Sequence, residues 1–253
     1  MNRFLRPVAT IGVVGAVLSL TTHPSKAAAL TPVDFDTLNL GAKIVGPVGP
    51  EVETTFITID GVGLGDLVSS VSCPAGFASC LPPTNPAGTL YTYLHQVTTG
   101  VNSPNDAPFP DASSFKPITG EVFRLNFPAA GFNGVAGYSF SEAATALDSD
   151  DALTVEESDD GSLVWRAPAD AAWAPLETVS FFWQTTQNPS GPGGIYQLSG
   201  DGESGTANGP LPAPVAVVAS PATEVPEPSA IASLAFVGAV LLLQRRAMDS
   251  ITK

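Results

Sequence analysis

The segment EVFRLNF, residues 121–127, alternates apolar and polar side chains. Phe123, Leu125 and Phe127 share one face, because successive side chains of an extended chain point to opposite sides. This period of two predicts a β-strand that buries one face against a core. The fold of the whole body follows from repetition of this pattern.

Six further segments carry β-branched and aromatic residues between clusters of turn residues. They begin at Phe56 (FITI), Thr89 (TLYTYLHQV), Leu153 (LTVEE), Ser162 (SLVWRA), Thr178 (TVSFFWQTT) and Gly194 (GIYQLSG). Short antiparallel strands in this number are typical of a sandwich or jelly roll. We therefore predict an all-β body, an antiparallel β-sandwich of jelly-roll-like form, with one short helix near residues 141–147.

Composition limits the size of this body and the partners it can have. The chain has 253 residues, of which 44% are hydrophobic, which is enough for one domain of up to roughly 200 residues with terminal extensions. Its formal net charge is −14, and six of its ten Lys and Arg residues lie near the two ends. Phosphate backbones repel a chain without a basic stripe, and this excludes nucleic acid as a partner.

Residues 1–29 have the features of an export signal. Arg3 and Arg6 precede an apolar stretch from Val8 to Leu20, and small residues follow up to Ala29. About 13 apolar residues span roughly 20 Å as a helix, which is less than the ~30 Å hydrocarbon core of a bilayer. We predict a signal helix that signal peptidase removes near Ala29, so that the body begins at residue 30.

Cys73 and Cys80, in the segment CPAGFASC, are the only cysteines. Export brings this pair into an oxidising compartment, which favours a local disulfide between them. His95 is the only histidine of the exported body, so Cys and His cannot supply the four ligands of a structural zinc site.

The segment VPEPSAIASLAFVGAVLLLQRR, residues 225–246, contains an unbroken apolar run from Ala230 to Leu243. As a helix this run spans roughly 21 Å and predicts a marginal transmembrane helix in the precursor. By the positive-inside rule, Arg245 and Arg246 lie in the cytoplasm together with the tail, residues 247–253. Both ends of the chain therefore place the body outside the inner membrane.

The Pro-Glu-Pro triplet before this run prevents both helix formation and sheet pairing, so the segment outside the membrane is extended. The triplet, the apolar run and the arginine pair, in this order behind a signal peptide, resemble the PEP-CTERM sorting signal that exosortases of Gram-negative bacteria read. The resemblance covers residues 221–246 and implies that exosortase cleaves the precursor and releases or re-anchors the body. It assigns the sorting motif to Val225, Pro226, Glu227, Pro228 and Ser229.

Residues 209–224 are rich in Pro, Ala and other small residues. Such a segment favours extended, semi-rigid conformations and predicts a stalk between the body, residues 30–208, and the sorting signal. Alternatively, VAVV at residues 215–218 forms a last strand of the body, and the sequence does not decide between the two.

An acidic stretch that begins at Asp148 is a candidate for calcium binding, because carboxylates are dense there. Its spacing does not fit an EF-hand, since the sixth position is Leu153 and not glycine. Asp159, Asp160 and Gly161 lie between two alternating runs and predict a hairpin turn. Calcium binding in another geometry stays open.

Two further features have both a structural and a catalytic interpretation. The glycines of DGVGLGD, residues 60–66, lack the spacing of a dinucleotide fingerprint and predict a glycine-rich turn. His95 shares a strand face with Tyr91, Tyr93 and Val97. Without a nucleophile motif such as G-x-S-x-G, we predict a histidine on the strand surface rather than a catalytic base.

Together these features predict a structural or adhesive protein of the cell surface or extracellular matrix, not an enzyme, without cofactor or metal. Its candidate partners are signal peptidase, exosortase, the inner membrane in the precursor and extracellular polysaccharide. The alternatives are a carbohydrate- or calcium-binding module and, third, a glycoside hydrolase that uses two carboxylates across a cleft. Five aromatic residues could stack on sugars, although most are expected in the core: Tyr91, Tyr93, Trp165, Trp173 and Trp183.

Overall fold

Strands form where the alternating pattern predicts them, and further strands complete the sheet. The computed structural model describes residues 27–45, 49, 51–100, 121–147, 153–168, 171–174, 176–200 and 202–214. In these ranges thirteen strands join one sheet, and a single α-helix, α1, covers Phe140–Ala146. Short 3-10 helices cover Phe35–Thr37 and Pro82–Thr84. The prediction of an all-β body with one short helix is confirmed.

The strands are numbered in chain order. The first six are β1 Ala28–Leu30, β2 Val33–Asp34, β3 Leu40–Lys43, β4 Val52–Thr58, β5 Gly63–Pro74 and β6 Tyr91–Thr99. The others are β7 Glu121–Leu125, β8 Phe132–Tyr138, β9 Thr154–Glu157, β10 Leu163–Arg166, β11 Thr178–Thr185, β12 Pro189–Gly200 and β13 Glu203–Pro212. All seven segments predicted as strands form strands.

The spatial order of the strands is β1-β9-β10-β7-β12-β13-β4-β5-β6-β11-β8-β2, and β3 pairs with the end of β5. Neighbouring strands are antiparallel, with the exception of β2 and β8, which are parallel. Long strands occupy the middle of this order and short strands its ends.

The glycine-rich segment, residues 60–66, is only partly a turn, and the prediction is wrong for its second half. The turn covers residues 59–61, where Gly61 has a φ of 81°. Gly63 and Gly65 already belong to β5. A Cβ on Gly65 would lie 2.5 Å from the carbonyl oxygen of Thr98 on β6, so this glycine permits a close approach of two strands.

Aromatic rings from strands that are not neighbours in the sheet meet in the core. The ring of Phe123 on β7 stacks on Phe181 of β11, with 4.7 Å between centroids. Trp165 of β10 packs on the same Phe181 at 5.8 Å. All three side chains are fully buried. Because β7 and β11 are far apart in the strand order, these contacts require the sheet to curl until its two halves face each other.

The N-terminal segment joins the two ends of the curled sheet. β1 pairs with β9 at one end of the strand order, and β2, which follows after two residues, pairs with β8 at the other end. Trp165 of β10 donates its indole N–H to the carbonyl oxygen of Gly137 on β8, at 2.9 Å. The ends of the sheet therefore lie side by side, and residues 28–34 connect them as an N-terminal bridge.

Hydrogen bonds from α1 hold the end of the N-terminal bridge. A carboxylate oxygen of Asp34 accepts from the backbone N–H of Phe140 at 3.1 Å. A carboxylate oxygen of Asp36 accepts from the hydroxyl groups of Ser139, at 3.0 Å, and Ser141, at 2.7 Å. Hydrogen bonds to ionised acceptors are stronger than neutral ones, so these contacts stabilise β2 in its place beside β8.

The predicted ends of the body fall inside strands. β13 continues to Pro212, so the boundary predicted at residue 208 lies within it. The backbone N–H of Ala213 then donates to the carbonyl oxygen of Asn188 at 2.7 Å. At the other end, β1 begins at Ala28, inside the predicted leader of residues 1–29. The segment VAVV, residues 215–218, lies outside the described residues.

Residues 1–26 of the predicted leader and the apolar run from Ala230 to Leu243 also lie outside the described residues. Among the residues that the structure does describe, no helix has both the length and the apolar character needed to cross a membrane.

Replacement of Gly137 by alanine is expected to displace the N-terminal bridge, because the added Cβ would collide with the carbonyl oxygen and amide nitrogen of Val33. Overpacking of this kind lowers the free energy of unfolding by about 1–3 kcal/mol. Hydrogen exchange at the amides of residues 28–34 should become faster, and a denaturant titration should give the loss of stability.

Gly134→Ala on the same strand is the matched control. Its Cβ would meet nothing within 4 Å, and its φ of 88° alone causes a cost of about 1–2 kcal/mol. Equal protection of the bridge amides in the two variants would show that β2 does not depend on the close approach at Gly137.

Candidate functional site

The predicted sorting motif, residues 225–229, and the two arginines at Arg245 and Arg246 lie outside the described residues. The first carboxylates of the acidic stretch, residues 148–151, lie outside them as well. The candidate sites within the described residues are the disulfide, the histidine on β6, the hairpin turn, the core aromatics and the charged surface.

The predicted disulfide between Cys73 and Cys80 is present, with 5.6 Å between the two Cα atoms. Both cysteines are fully buried. The amide of Asn85 donates to the Cys73 sulfur at 3.2 Å and to the hydroxyl of Tyr91 at 3.2 Å. The residue beside β3, Ile44, forms an isolated bridge with Cys80. The disulfide therefore joins the end of β5 to the loop that follows it, inside the core.

His95 is fully buried, and the prediction of a histidine on the strand surface is wrong. Its ring lies 4.2 Å from the ring of Tyr196 on β12 and 5.7 Å from that of Phe123 on β7. The alternation that places His95 on the face of Tyr91 and Tyr93 is correct, but this face points into the curled sheet. The opposite half of the sheet covers it.

The hydrogen bonds of His95 fix its tautomer. The indole N–H of Trp183 donates to Nε2 at 3.2 Å, so Nε2 must be the nitrogen without a proton. Nδ1 then carries the proton and donates to the hydroxyl oxygen of Ser69, 3.0 Å away. A base that activates serine must accept a proton from the hydroxyl, and here the direction is reversed. The Ser69–His95 pair therefore cannot act as a nucleophile and its base.

Burial lowers the pKa of His95 from 6.5 to about 3. The charged imidazolium is unfavourable inside an aromatic core, so the neutral ring is kept over the physiological range. The histidine is thus a structural group in the core rather than a proton carrier.

The five aromatic residues considered as sugar platforms are all buried. The exposed fraction is 1% for Tyr91 and 0% for the other four: Tyr93, Trp165, Trp173 and Trp183. Stacking on a sugar needs an exposed ring face. These five residues therefore provide no carbohydrate surface in the folded body.

The predicted hairpin turn at Asp159, Asp160 and Gly161 is present between β9 and β10, which pair antiparallel. Gly161 has a φ of 77°. A carboxylate oxygen of Asp160 accepts from the backbone N–H of Ser162 at 2.9 Å. Hydrogen bonds from Ser162 lower the pKa of Asp160, so its carboxylate serves the turn.

Two arginines lie among carboxylates next to this turn. The guanidinium of Arg166 donates to Glu156 at 3.0 Å and lies 3.9 Å from Glu121. Arg124 lies 3.8 Å from the same Glu121 and 3.9 Å from Asp160. These pairs are partly exposed, so each contributes little to stability. The main effect of these ion pairs is electrostatic, because neighbouring carboxylates neutralise the charges of Arg124 and Arg166.

The surface of the described body has a large excess of carboxylates. The described residues include fourteen Asp and Glu residues, of which Asp66 is buried, and three Lys and Arg residues. Each of these three cations forms an ion pair: Lys43 with Glu51, Arg124 with Glu121 and Arg166 with Glu156. An anionic partner meets no unpaired side-chain cation on this part of the molecule, whereas a cation meets many carboxylates.

The described carboxylates do not converge on a site. In the ranges that the structure describes, no three or more His, Cys, Asp or Glu side chains form a group that could hold a metal ion. A depression beside α1 contains two glutamates, and Glu142 already accepts from the backbone N–H of Ser180 at 2.6 Å. This depression has no aromatic ring on which a sugar could stack. It is lined by Ser141, Glu142, Thr145, Leu176, Glu177 and Thr178.

Comparison with known proteins does not assign a function. The chain matches no protein-family model, no curated protein and no solved structure. Its function must therefore be inferred from its own residues.

The disulfide should resist reduction in the folded protein, because both cysteines are fully buried. Alkylation with reductant present should label neither cysteine in native protein and both after denaturation, as read by peptide mapping. Paired replacement of Cys73 and Cys80 by alanine should lower the free energy of unfolding by about 2 to 3 kcal/mol through loss of this short cross-link. Removal of two fully buried sulfur atoms from the core should add to this loss. Two free thiols in exported, unreduced protein would contradict the pairing.

The stability of the body should fall as the pH decreases below 6.5. Unfolded His95 binds a proton near its ordinary pKa of 6.5, whereas folded His95 does so only near 3. Between these values the unfolded state holds more protons, so stability decreases by up to about 1.4 kcal/mol per pH unit. Denaturant titrations between about pH 5 and 6.5 measure this slope above the range in which ordinary carboxylates titrate.

Two variants separate His95 from other groups. His95→Gln retains hydrogen-bonding atoms without a titrating ring and should flatten the slope. Ser69→Ala removes one partner of the ring and should lower stability while the slope remains. An unchanged slope in His95→Gln would assign the pH dependence to another group.

Proposed function

We propose that the chain is an exported protein that an exosortase processes and that has a structural or adhesive role at the cell surface or in the extracellular matrix. The order of elements in its C-terminal sequence carries this proposal: a Pro-Glu-Pro triplet, an apolar run and an arginine pair, behind an N-terminal leader. In the precursor the leader forms a signal helix and residues 230–243 a transmembrane helix in the inner membrane.

The body is compatible with an exported role because of its disulfide, which persists in oxidising compartments. Its side chains support a non-catalytic role. The only histidine of the exported body is fully buried and hydrogen-bonded through both nitrogens, and the carboxylates of the described residues form no convergent group that could hold a metal ion. What remains outside is a strongly acidic surface with its described cations paired.

Such a surface favours weak contacts through cations. Metal ions can bridge carboxylates of the body to anionic groups of extracellular polysaccharides, whereas direct contact with anionic polymers is repulsive. Adhesion of this kind needs many dispersed carboxylates rather than one converging site, which agrees with the distribution on the described surface.

We also propose that the curled sheet is a sandwich of jelly-roll-like form. The ring contacts of Phe123 and Trp165 with Phe181 support two facing layers with a shared core, as a sandwich requires.

Replacement of Glu227 by glutamine, or deletion of Val225–Ser229, should trap the precursor in the membrane fraction of a host that has an exosortase. The reason is that the enzyme would lose the extended acidic triplet while the apolar run still anchors the chain. Fractionation and intact-mass measurement give the location and the C-terminus of the product.

Glu224→Gln is the matched control, because it removes the same charge three residues before Glu227, outside the triplet, and should leave processing unchanged. A mature protein that still carries Arg245 and Arg246 in its native host would exclude exosortase processing.

A further inference from the structure

The register of β1 selects one peptide bond as the boundary between leader and body. We propose that signal peptidase hydrolyses the bond between Ala27 and Ala28, two residues before the position near Ala29 that the sequence suggests. This inference rests on the export step of the proposed function and adds the bond that is cut.

The sequence offers two bonds that satisfy the preference for small residues at the first and third positions before the cut. A cut after Ala29 places Ala27 at the third position, and a cut after Ala27 places Ser25 there. A cut after Ala28 would place the long, charged Lys26 at the third position and is disfavoured. Sequence alone does not separate the first two bonds.

The pairing of β1 in the sheet distinguishes between these two bonds. β1 consists of Ala28, Ala29 and Leu30, which lie opposite residues 157, 156 and 155 of β9. A cut after Ala27 preserves all three pairs. A cut after Ala29 removes two of them and leaves Leu30 as a single residue at the new terminus.

The loss would reach beyond β1, because this strand is one half of the N-terminal bridge. β1 ends the sheet at β9, and β2 ends it at β8. Without β1 the backbone of β9 would lack its outer partner, and the bridge would hold only one of the two sheet ends. Retention of Ala28 and Ala29 keeps the bridge complete.

Charge favours the same bond. The cut consumes one water, leaves a carboxylate on Ala27 with the leader and creates an ammonium group on Ala28. Because β1 runs antiparallel to β9, its N-terminal end points toward the turn that follows Glu157 and contains Asp159 and Asp160. Because Ala28 lies opposite Glu157, the new positive charge forms at the end of β9 that leads into this turn, where opposite charges attract.

Position along the strand makes the bond accessible. The Ala27–Ala28 bond precedes the first paired residue of β1. The side chains of Ala28 and Ala29 are both exposed, so the two bonds differ in backbone pairing and not in side-chain exposure. The Ala29–Leu30 bond lies inside the paired segment, so its hydrolysis requires β1 to be absent or displaced. The first bond stays accessible whether or not the sheet has formed.

The test compares wild-type protein with Ser25→Gln and Ala29→Gln, expressed as full chains in an exporting Gram-negative host. N-terminal sequencing and intact-mass measurement identify the first residue of each product. Wild-type protein and Ala29→Gln are expected to begin at Ala28, since position 29 lies after the cut. Ser25→Gln should lose the product that begins at Ala28, because a long side chain then occupies the third position before it.

A wild-type product that begins at Leu30, with processing blocked by Ala29→Gln and unaffected by Ser25→Gln, would overturn the inference and leave export intact. A wild-type product that retains the leader would overturn both the inference and the export step of the proposed function.

Discussion

The packing of Phe123 against both halves of the sheet is the contact on which the rest of the structure depends. Its ring lies within 6.4 Å, between centroids, of rings on five other strands: Phe56, His95, Trp165, Phe181 and Tyr196. Aromatic side chains bury large apolar areas, so bringing these strands together stabilises a curled sheet over a flat one. The proximity of the sheet ends and the burial of His95 follow from this curl.

Local pattern in the sequence predicts the strands that obey it. β7 alternates apolar and polar side chains, and β11 contains a run of aromatic residues. The turn is indicated by three adjacent residues that favour turns, Asp159, Asp160 and Gly161. The pattern does not predict all of β5 and β13, because these strands are rich in Gly and Ser, which usually indicate loops. In the fold these small residues are needed: a Cβ on Gly209 of β13 would lie 2.6 Å from the ring of Tyr196. That reason belongs to the neighbouring strand and cannot be read from β13 itself.

The candidate sites divide in the same way. The disulfide depends on two nearby cysteines, so their count and spacing predict it. The environment of His95 depends on β5, β11 and β12, which supply Ser69, Trp183 and Tyr196 from distant parts of the chain. Alternation gives the face of the histidine but not what covers that face. The pairing of Arg124 and Arg166 likewise depends on which strands become neighbours.

The shortness of the strands that end the sheet has a consequence for the proposed role in a matrix. In such a matrix copies of this body would lie close together, and long unpaired edges would let them add to one another as fibres. Here the two end strands, β1 and β2, have three and two residues and belong to one continuous bridge. Such short strands offer few free backbone groups to which a strand of another copy could pair. A matrix built from this body would depend on side chains and counterions, and it would respond to ionic strength and dissolve reversibly.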